Sequence, residues 1–317
     1  MIASLALGLV LAHRSSGVVN LAHGAMGVYV AFAFFEFRET GDLVLPFLGL
    51  PARVHLLARP TLASALGLAA ALAVLLGLIV YALVFRPLRR SPALAKVVAS
   101  LGLLLYLQEV VRLRFPVSGS SVVVRRPVLP EDPVRVLDAV VTENRLLLAL
   151  LAVLVTGVLA AVFRWTRWGL AVRAADENEK GALLVGLSPD RLGAAAWAIA
   201  SLLAGFAVIL IEPIAGISPT TTSLLVIPAL AAALAGRLES FAATTAAGLG
   251  IGMVQSWVLG YAVRPEVTWI PSWVPTTGLQ SVVPVVVIVA VLFRRGEVVQ
   301  VVLLAQCRHQ RQHKVVR

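Results

Sequence analysis

Residues 62–85 read LASALGLAAALAVLLGLIVYALVF, without one charged side chain. A hydrocarbon core of about 30 Å needs roughly 20 consecutive apolar residues to be crossed by a helix, so this run can span a membrane. Directly after it comes Arg86-Pro87-Leu88-Arg89-Arg90-Ser91-Pro92, a short basic connector whose prolines end the helices on either side. Comparable runs occupy Gly17–Phe37, Ala93–Val111, Leu146–Phe163, Leu192–Ile211 and Thr276–Phe293. Thr222–Tyr261 is long enough for two helices, broken at Arg237-Leu238-Glu239-Ser240. Met1–Ala12 is apolar but covers only about 18 Å as a helix. Without a positive n-region it reads as a span whose beginning is missing, not as a signal peptide. The expected fold class is an all-α polytopic transmembrane helix bundle, with about eight spans plus this short N-terminal apolar segment. Residues 1–297 form the transmembrane domain, and 298–317 form a basic C-terminal tail expected in the cytoplasm.

The whole chain carries the same signature. Its 317 residues are 59% hydrophobic and 14% charged, with a mean hydropathy of +0.92; ordinary soluble domains carry roughly a quarter charged residues. Solubility as a free monomer is excluded, and so is disorder, which requires low hydrophobicity. A net charge of +11 would suggest nucleic acid in a soluble protein, but here the charges lie between apolar runs and make no single basic face. They serve instead to orient the spans. With Met1 outside and every run crossing, 17 of the 27 Lys and Arg fall on inner loops and 10 on outer ones. Arg112–Arg145, an outer loop in this arrangement, carries charges of both signs and several prolines, and reads as a solvated connector or a docking site.

Catalytic signatures are missing. Cys307 is the single cysteine, so there is no internal disulfide and no cysteine metal cluster. Lys96, Lys180 and Lys314 follow Ala95, Glu179 and His313, so none closes a phosphate-binding G-x-x-x-x-G-K-[ST] loop. HExxH, CxxC and G-x-S-x-G are likewise absent. No catalytic residue, metal or cofactor is expected.

Three groups of residues stand out from generic spans. Arg164–Arg191 is an inner loop with nine charged residues of mixed sign. In it Arg173, Asp176, Glu177 and Lys180 fall at i, i+3, i+4 and i+7, with Ala171, Ala174, Ala175, Ala182 and Val185 at similar spacing. This predicts one amphipathic helix, with an Asp176–Lys180 pair, a stop at Gly186 and a new span opening at Ser188-Pro189. Its face is either a solvated connector or a surface for a partner subunit. Asn20 and His23, next to Gly24, share a face at i, i+3 of the first long run. Polar groups in a span line a path or bond between helices, so these three residues serve translocation or packing. Gly248 and Gly252 form a GxxxG pattern that reads as helix packing. Glu109 and Glu212 sit near span ends, and Gln255 lies deeper.

Four blocks, in order from about Ser16 to Gly252, resemble the permease subunits of branched-chain amino-acid (Liv-type) ABC importers, in particular the LivH-like half. GVVNLAHGAMGVYVAF is similar to that family's early block around an Asn-x-Ala-His-Gly core, here Asn20 to Gly24. RPLRRSP followed by VASLGLLLYLQ resembles its Arg-Pro-x-Arg connector and a glycine-containing span ending in Gln108. TRWGLAVRAADENEKGALLVGLSPDRL resembles its cytoplasmic coupling loop, and LAGRLES its Gly-Gly turn, with Ala235 in place of the first glycine. The resemblance implies a bacterial plasma (inner) membrane protein that forms a translocation path for branched-chain or related amino acids. It also implies two cytoplasmic ABC ATPase subunits, a second permease subunit and an extracytoplasmic solute-binding protein as partners, besides membrane lipid. The ATPase-coupling role would fall to Arg173, Ala174, Asp176, Glu177, Lys180 and Gly186. An ion-coupled secondary transporter, with Asn20, His23 and Glu109 near its path, is the alternative.

Overall fold

The computed structural model describes residues 1–47, 53–115, 132–136, 139–215, 218–262 and 278–294. The tail 298–317, Cys307 and most of the Arg112–Arg145 loop lie outside the described residues. The chain divides into two compact units, Met1–Leu249 and Gly250–Arg317.

The architecture is all-α and polytopic. The described helices are α1 (Ile2–Ser16), α2 (His23–Thr40), α3 (Leu62–Val80), α4 (Ala93–Arg114), α5 (Glu143–Trp165), α6 (Arg167–Glu177), α7 (Glu179–Leu184), α8 (Pro189–Ala215), α9 (Pro219–Ser223), α10 (Val226–Ala235), α11 (Phe241–Ala262) and α12 (Gly278–Arg294). Five stretches are long and apolar enough to cross a membrane: Leu62–Phe85, Leu94–Arg114, Leu146–Trp165, Pro189–Ile211 and Phe241–Ala262. Ile2–Ser16, Pro219–Ala235 and Gly278–Arg294 are shorter apolar helices. Two short antiparallel ribbons interrupt the helices, β1 (Asp42–Val44) with β2 (Arg53–His55) and β3 (Pro133–Val136) with β4 (Ala139–Thr142).

In the first unit, α1, α2 and α3 all pack on α8. The fragment at Met1–Ala12, too short in sequence to count as a span, extends to Ser16 and is among the most enclosed helices. Ala3 and every residue from Leu5 to Ala12 are buried. A helix apolar on all sides belongs inside other helices. By contrast Leu105 on α4 and Leu150 and Leu154 on α5 are more than half exposed, as expected of side chains that meet lipid tails.

The first long run is not one helix. Gly17 adopts φ 64° and closes α1 by donating its N–H to the His13 carbonyl at 2.7 Å, and α2 starts only at His23. His23 abuts Gly8, midway along α1. Residues 18–22 therefore double back by roughly 12 Å, the rise of about eight helical residues. Asn20 thus lies in non-helical backbone, not at i−3 on the helix of His23 as the spacing predicts.

The predicted break after α10 is present, but its strain falls on unexpected residues. Arg237 and Leu238 take φ 60° and 56°, while Gly236 stays at φ −77°. Gly236 is needed for space instead, because any Cβ there would strike Thr244. Two successive non-glycine residues in the left-handed region cost about 1–2 kcal/mol each. The exposed Arg237 is expected to gain about 1 kcal/mol on replacement by glycine. A raised thermal midpoint of R237G in detergent checks this.

In the second unit, α11 continues through Trp257 and Tyr261, whose rings stack at 5.7 Å. Gln255 Nε2 donates to the Gln280 carbonyl of α12 at 3.0 Å.

Candidate functional site

Helix ends that are remote in sequence meet on one basic face of the first unit. Arg14, at the end of α1, donates to the Glu239 carbonyl at 2.9 Å and lies over the rings of Phe163 and Phe241. The connector after α3 reaches the same face. Its approach is distorted, because Tyr81–Phe85 forms a π-helical segment and Pro87–Arg90 a 3-10 turn. This geometry brings Phe85 flat against Trp197 of α8, with ring centroids 4.5 Å apart. Trp197 Nε1 in turn donates to Ser16 Oγ at 3.2 Å.

The predicted amphipathic helix is two helices. The α6 helix ends at Glu177, and Asn178 takes φ −150° and caps α7 by accepting from the Gly181 N–H at 2.9 Å. A short side chain that can bond the backbone two or three residues on favours a new helix start over helix continuation. The stripe from Arg173 to Lys180 is therefore cut at Asn178, and Lys180 no longer follows Asp176 in one helical register. The Asp176 side chain lies outside the described ones, Arg173 donates from Nε to the Gly169 carbonyl at 3.4 Å, and Ala174 is half-buried. Glu177 and Lys180 are exposed. Gly186 ends the pair of helices at φ 84°, a left-handed value that favours glycine, and α8 then starts at Pro189. The loop's apolar side is split as well. Ala171, Val172 and Ala182 are buried, whereas Leu184 and Val185 are 89% and 81% exposed, with Leu183 beside them.

Sequence reasoning missed the residues that bind this loop to the bundle. Arg86 donates through Nε and Nη2 to Asp190 Oδ2 at 3.1 and 2.9 Å, and Arg89 through Nη1 to Asp190 Oδ1 at 2.6 Å. Arg89 also reaches Glu179 Oε1 with Nη2 at 3.1 Å. Together with Ser16 and Leu183 these side chains border a crevice of about 630 Å³. Asp190 follows a helix-initiating proline, and an acid in a first turn already has a local reason to be there, complementing the helix dipole. Nothing in its neighbourhood points to partners 101 and 104 residues away.

Asn20, His23 and Gly24 lie inside the bundle, away from this face. Asn20 is fully buried, accepts from the Ala22 N–H with Oδ1 at 3.0 Å, and points Nδ2 at Met26 Sδ at 3.3 Å. It forms a turn bonded to the residue two positions on, ahead of α2, whose N-cap position is Ala22. His23 is buried, and its Nε2 has no hydrogen-bond partner among the described residues. Gly24 lies so close to the Ser223 carbonyl that a Cβ would overlap it, and at Gly27 a Cβ would come within 2.7 Å of the Ala204 carbonyl. Gly248 of α11 faces the backbone of Ala3 in the same way, at 2.7 Å, with Gly252 one turn further on. Glu109 pairs with Arg112 at 3.5 Å, and the Glu212 side chain lies outside the described ones. Among the described residues no group of His, Cys, Asp or Glu could hold a metal ion.

A bundle of apolar helices with polar and glycine-rich breaks inside, and a charged, partly apolar loop face, is that of a multi-pass membrane protein. The chain belongs to the family of permease components of the branched-chain amino acid transport system, whose family model matches residues 1–292. It is similar to the high-affinity branched-chain amino acid transport system permease protein LivH of Escherichia coli K12, at 26% identity over 82% of each chain. LivH of Salmonella typhimurium is 25% identical over 82% of each chain. The corresponding permease protein BraD of Pseudomonas aeruginosa is 25% identical over 80% of this chain and 81% of its own. No solved structure matches. As a member of this family the protein resides in the bacterial inner membrane.

Two glycines separate close approach from mere presence. Gly24→Ala forces a methyl against backbone that cannot step aside and is expected to cost about 1–3 kcal/mol. Gly67→Ala, in α3 with nothing within 4 Å of the new atom, is expected to be neutral or stabilising by up to about 1 kcal/mol. Thermal midpoints in detergent should order the two variants accordingly.

Proposed function

We propose that this chain forms one half of the translocation path of an ATP-driven importer for branched-chain or related amino acids. A second permease subunit supplies the other half, two cytoplasmic ABC ATPases supply the energy, and an extracytoplasmic solute-binding protein delivers the solute. The observation that carries this reading is the tip of the loop helices, Leu183-Leu184-Val185, exposed on a face otherwise built of charged helix ends. Three adjacent apolar side chains on a water-facing loop call for a protein cover. The sequence has no phosphate-binding loop of its own, so an ATPase is the partner whose chemistry is missing. Arg173, Ala174, Asp176, Glu177, Lys180 and Gly186 frame that tip and act as its coupling segment.

Within the bundle, Asn20, His23 and Gly24 shape the wall of the path and do not serve as solute ligands. Their burial, the backbone bond to Asn20 and the closeness of Gly24 to Ser223 support this reading. Gly248 and Gly252 do the equivalent on α11 by admitting a neighbouring helix.

The test is uptake of labelled leucine into proteoliposomes holding this chain, its companion permease and the ATPases, with binding protein and ATP supplied on the appropriate sides. Leu184→Glu is expected to lower ATPase retention and uptake by about tenfold or more, since losing the burial of one large apolar side chain removes about 1.5–3 kcal/mol. Unlabelled isoleucine and valine should compete with leucine. Uptake by this chain alone on an ion gradient would overturn the proposal in favour of a secondary transporter.

A further inference from the structure

We infer that Asp190 is the positioning residue through which movement of the loop helices reaches the bundle. The four-member cluster of Arg86, Arg89, Glu179 and Asp190 is the link, and this rests on the importer reading above. Each oxygen of the Asp190 carboxylate receives a different guanidinium, and Arg89 holds Glu179 at the same time. The connector after α3, remote in sequence, is thereby fixed at one point to the α7 helix that carries the exposed tip and to the first turn of α8, which follows α7 across residues 185–188.

Stability does not account for this cluster. Arg86, Glu179 and Asp190 are all more than a third exposed, and pairs so exposed contribute little to folding. What the cluster provides is geometry, because two N–H donors of the planar Arg86 guanidinium meet one Asp190 oxygen and Arg89 meets the other, which fixes direction as well as distance. Immediately behind it the links turn apolar and rigid. Arg86 directly follows the π-helical segment that presses Phe85 onto Trp197, and Trp197 is bonded to Ser16 of α1. A displacement of the tip is thus delivered to α3 through Arg86, to α8 through Asp190, and to α1 through Trp197. These are the helices packed together at the centre of the first unit. Such cores shift as packed units and do not deform continuously, so a small push at a fixed point moves whole helices. The π segment is a helical irregularity able to absorb a change of register in α3.

The test separates coupling from folding. Wild-type and variant chains are reconstituted with the companion permease, ATPases and binding protein, and leucine uptake and ATP hydrolysis are measured on the same vesicles. ATP-driven uptake by the wild type is the control for the importer reading; without it that reading falls first. Asp190→Asn should retain the ATPases and hydrolyse ATP within about twofold of wild type, while uptake per ATP falls about fivefold or more, the lower end of ordinary coupling strengths. Asp190→Glu, which keeps the carboxylate, should restore most of the ratio. Arg89→Gln should lower it too, and the double variant should be no worse than the poorer single, because both act through one route. A wild-type ratio in Asp190→Asn overturns the inference while leaving the importer reading intact. So does an equal loss in Asp190→Asn and Asp190→Glu accompanied by lowered thermal midpoints, which would mark a merely structural role.

Discussion

In an apolar surrounding a backbone N–H or C=O has no water to turn to, and this chain stops its helices repeatedly within apolar stretches. At two of these breaks polar side chains supply substitute partners. Between α1 and α2, Asn20 accepts from the Ala22 amide. At the start of α9, Thr222 Oγ1 accepts from the Ser218 amide at 3.0 Å, and Ser218 Oγ accepts from the Thr221 amide at 3.4 Å. The polar residues that look expensive in a hydropathy count are therefore the condition for having broken helices at all. Broken helices in turn give a permease irregular inner walls.

A second constraint follows from the first. Helices shortened in this way must approach closely to fill the interior, since lipid tails provide no hydrophobic drive to association and packing must do it. Gly24 against Ser223, Gly27 against Ala204 and Gly248 against Ala3 are places where one backbone lies on another. Aromatic side chains fill the wider gaps near the basic face, with Phe85, Tyr81 and Trp197 in one group and Phe163, Trp168 and Phe241 in another. The tight interior and the charged face meet at Trp197, buried as a ring and hydrogen-bonded at its nitrogen.

The composition fixes the membrane character because covering 59% apolar residues with 14% charged ones leaves no other solvent. Apolar run length locates the helices because bilayer thickness is a length, and turn chemistry marks the stop at Gly186 and the break near Arg237-Leu238. These are local signals, and they were legible. The split at Asn178 was less so, because the charge stripe fits one helix equally well and only the capping bond to Gly181 selects two. The enclosure of α1 was hidden for a different reason: a short apolar helix looks the same whether lipid or protein surrounds it.

By itself, then, the sequence determined what each segment is: which stretches are apolar helices, and which glycines and prolines end them. Only the tertiary structure decided which segments meet. Asp190 finds Arg86 and Arg89 across more than a hundred residues, His23 comes to rest beside Gly8, and Leu184 and Val185 are left facing outward. Helix formation depends on neighbours within about four residues, which periodicity records. A contact between distant segments depends on how every intervening helix packs, and a single sequence carries no local mark of that.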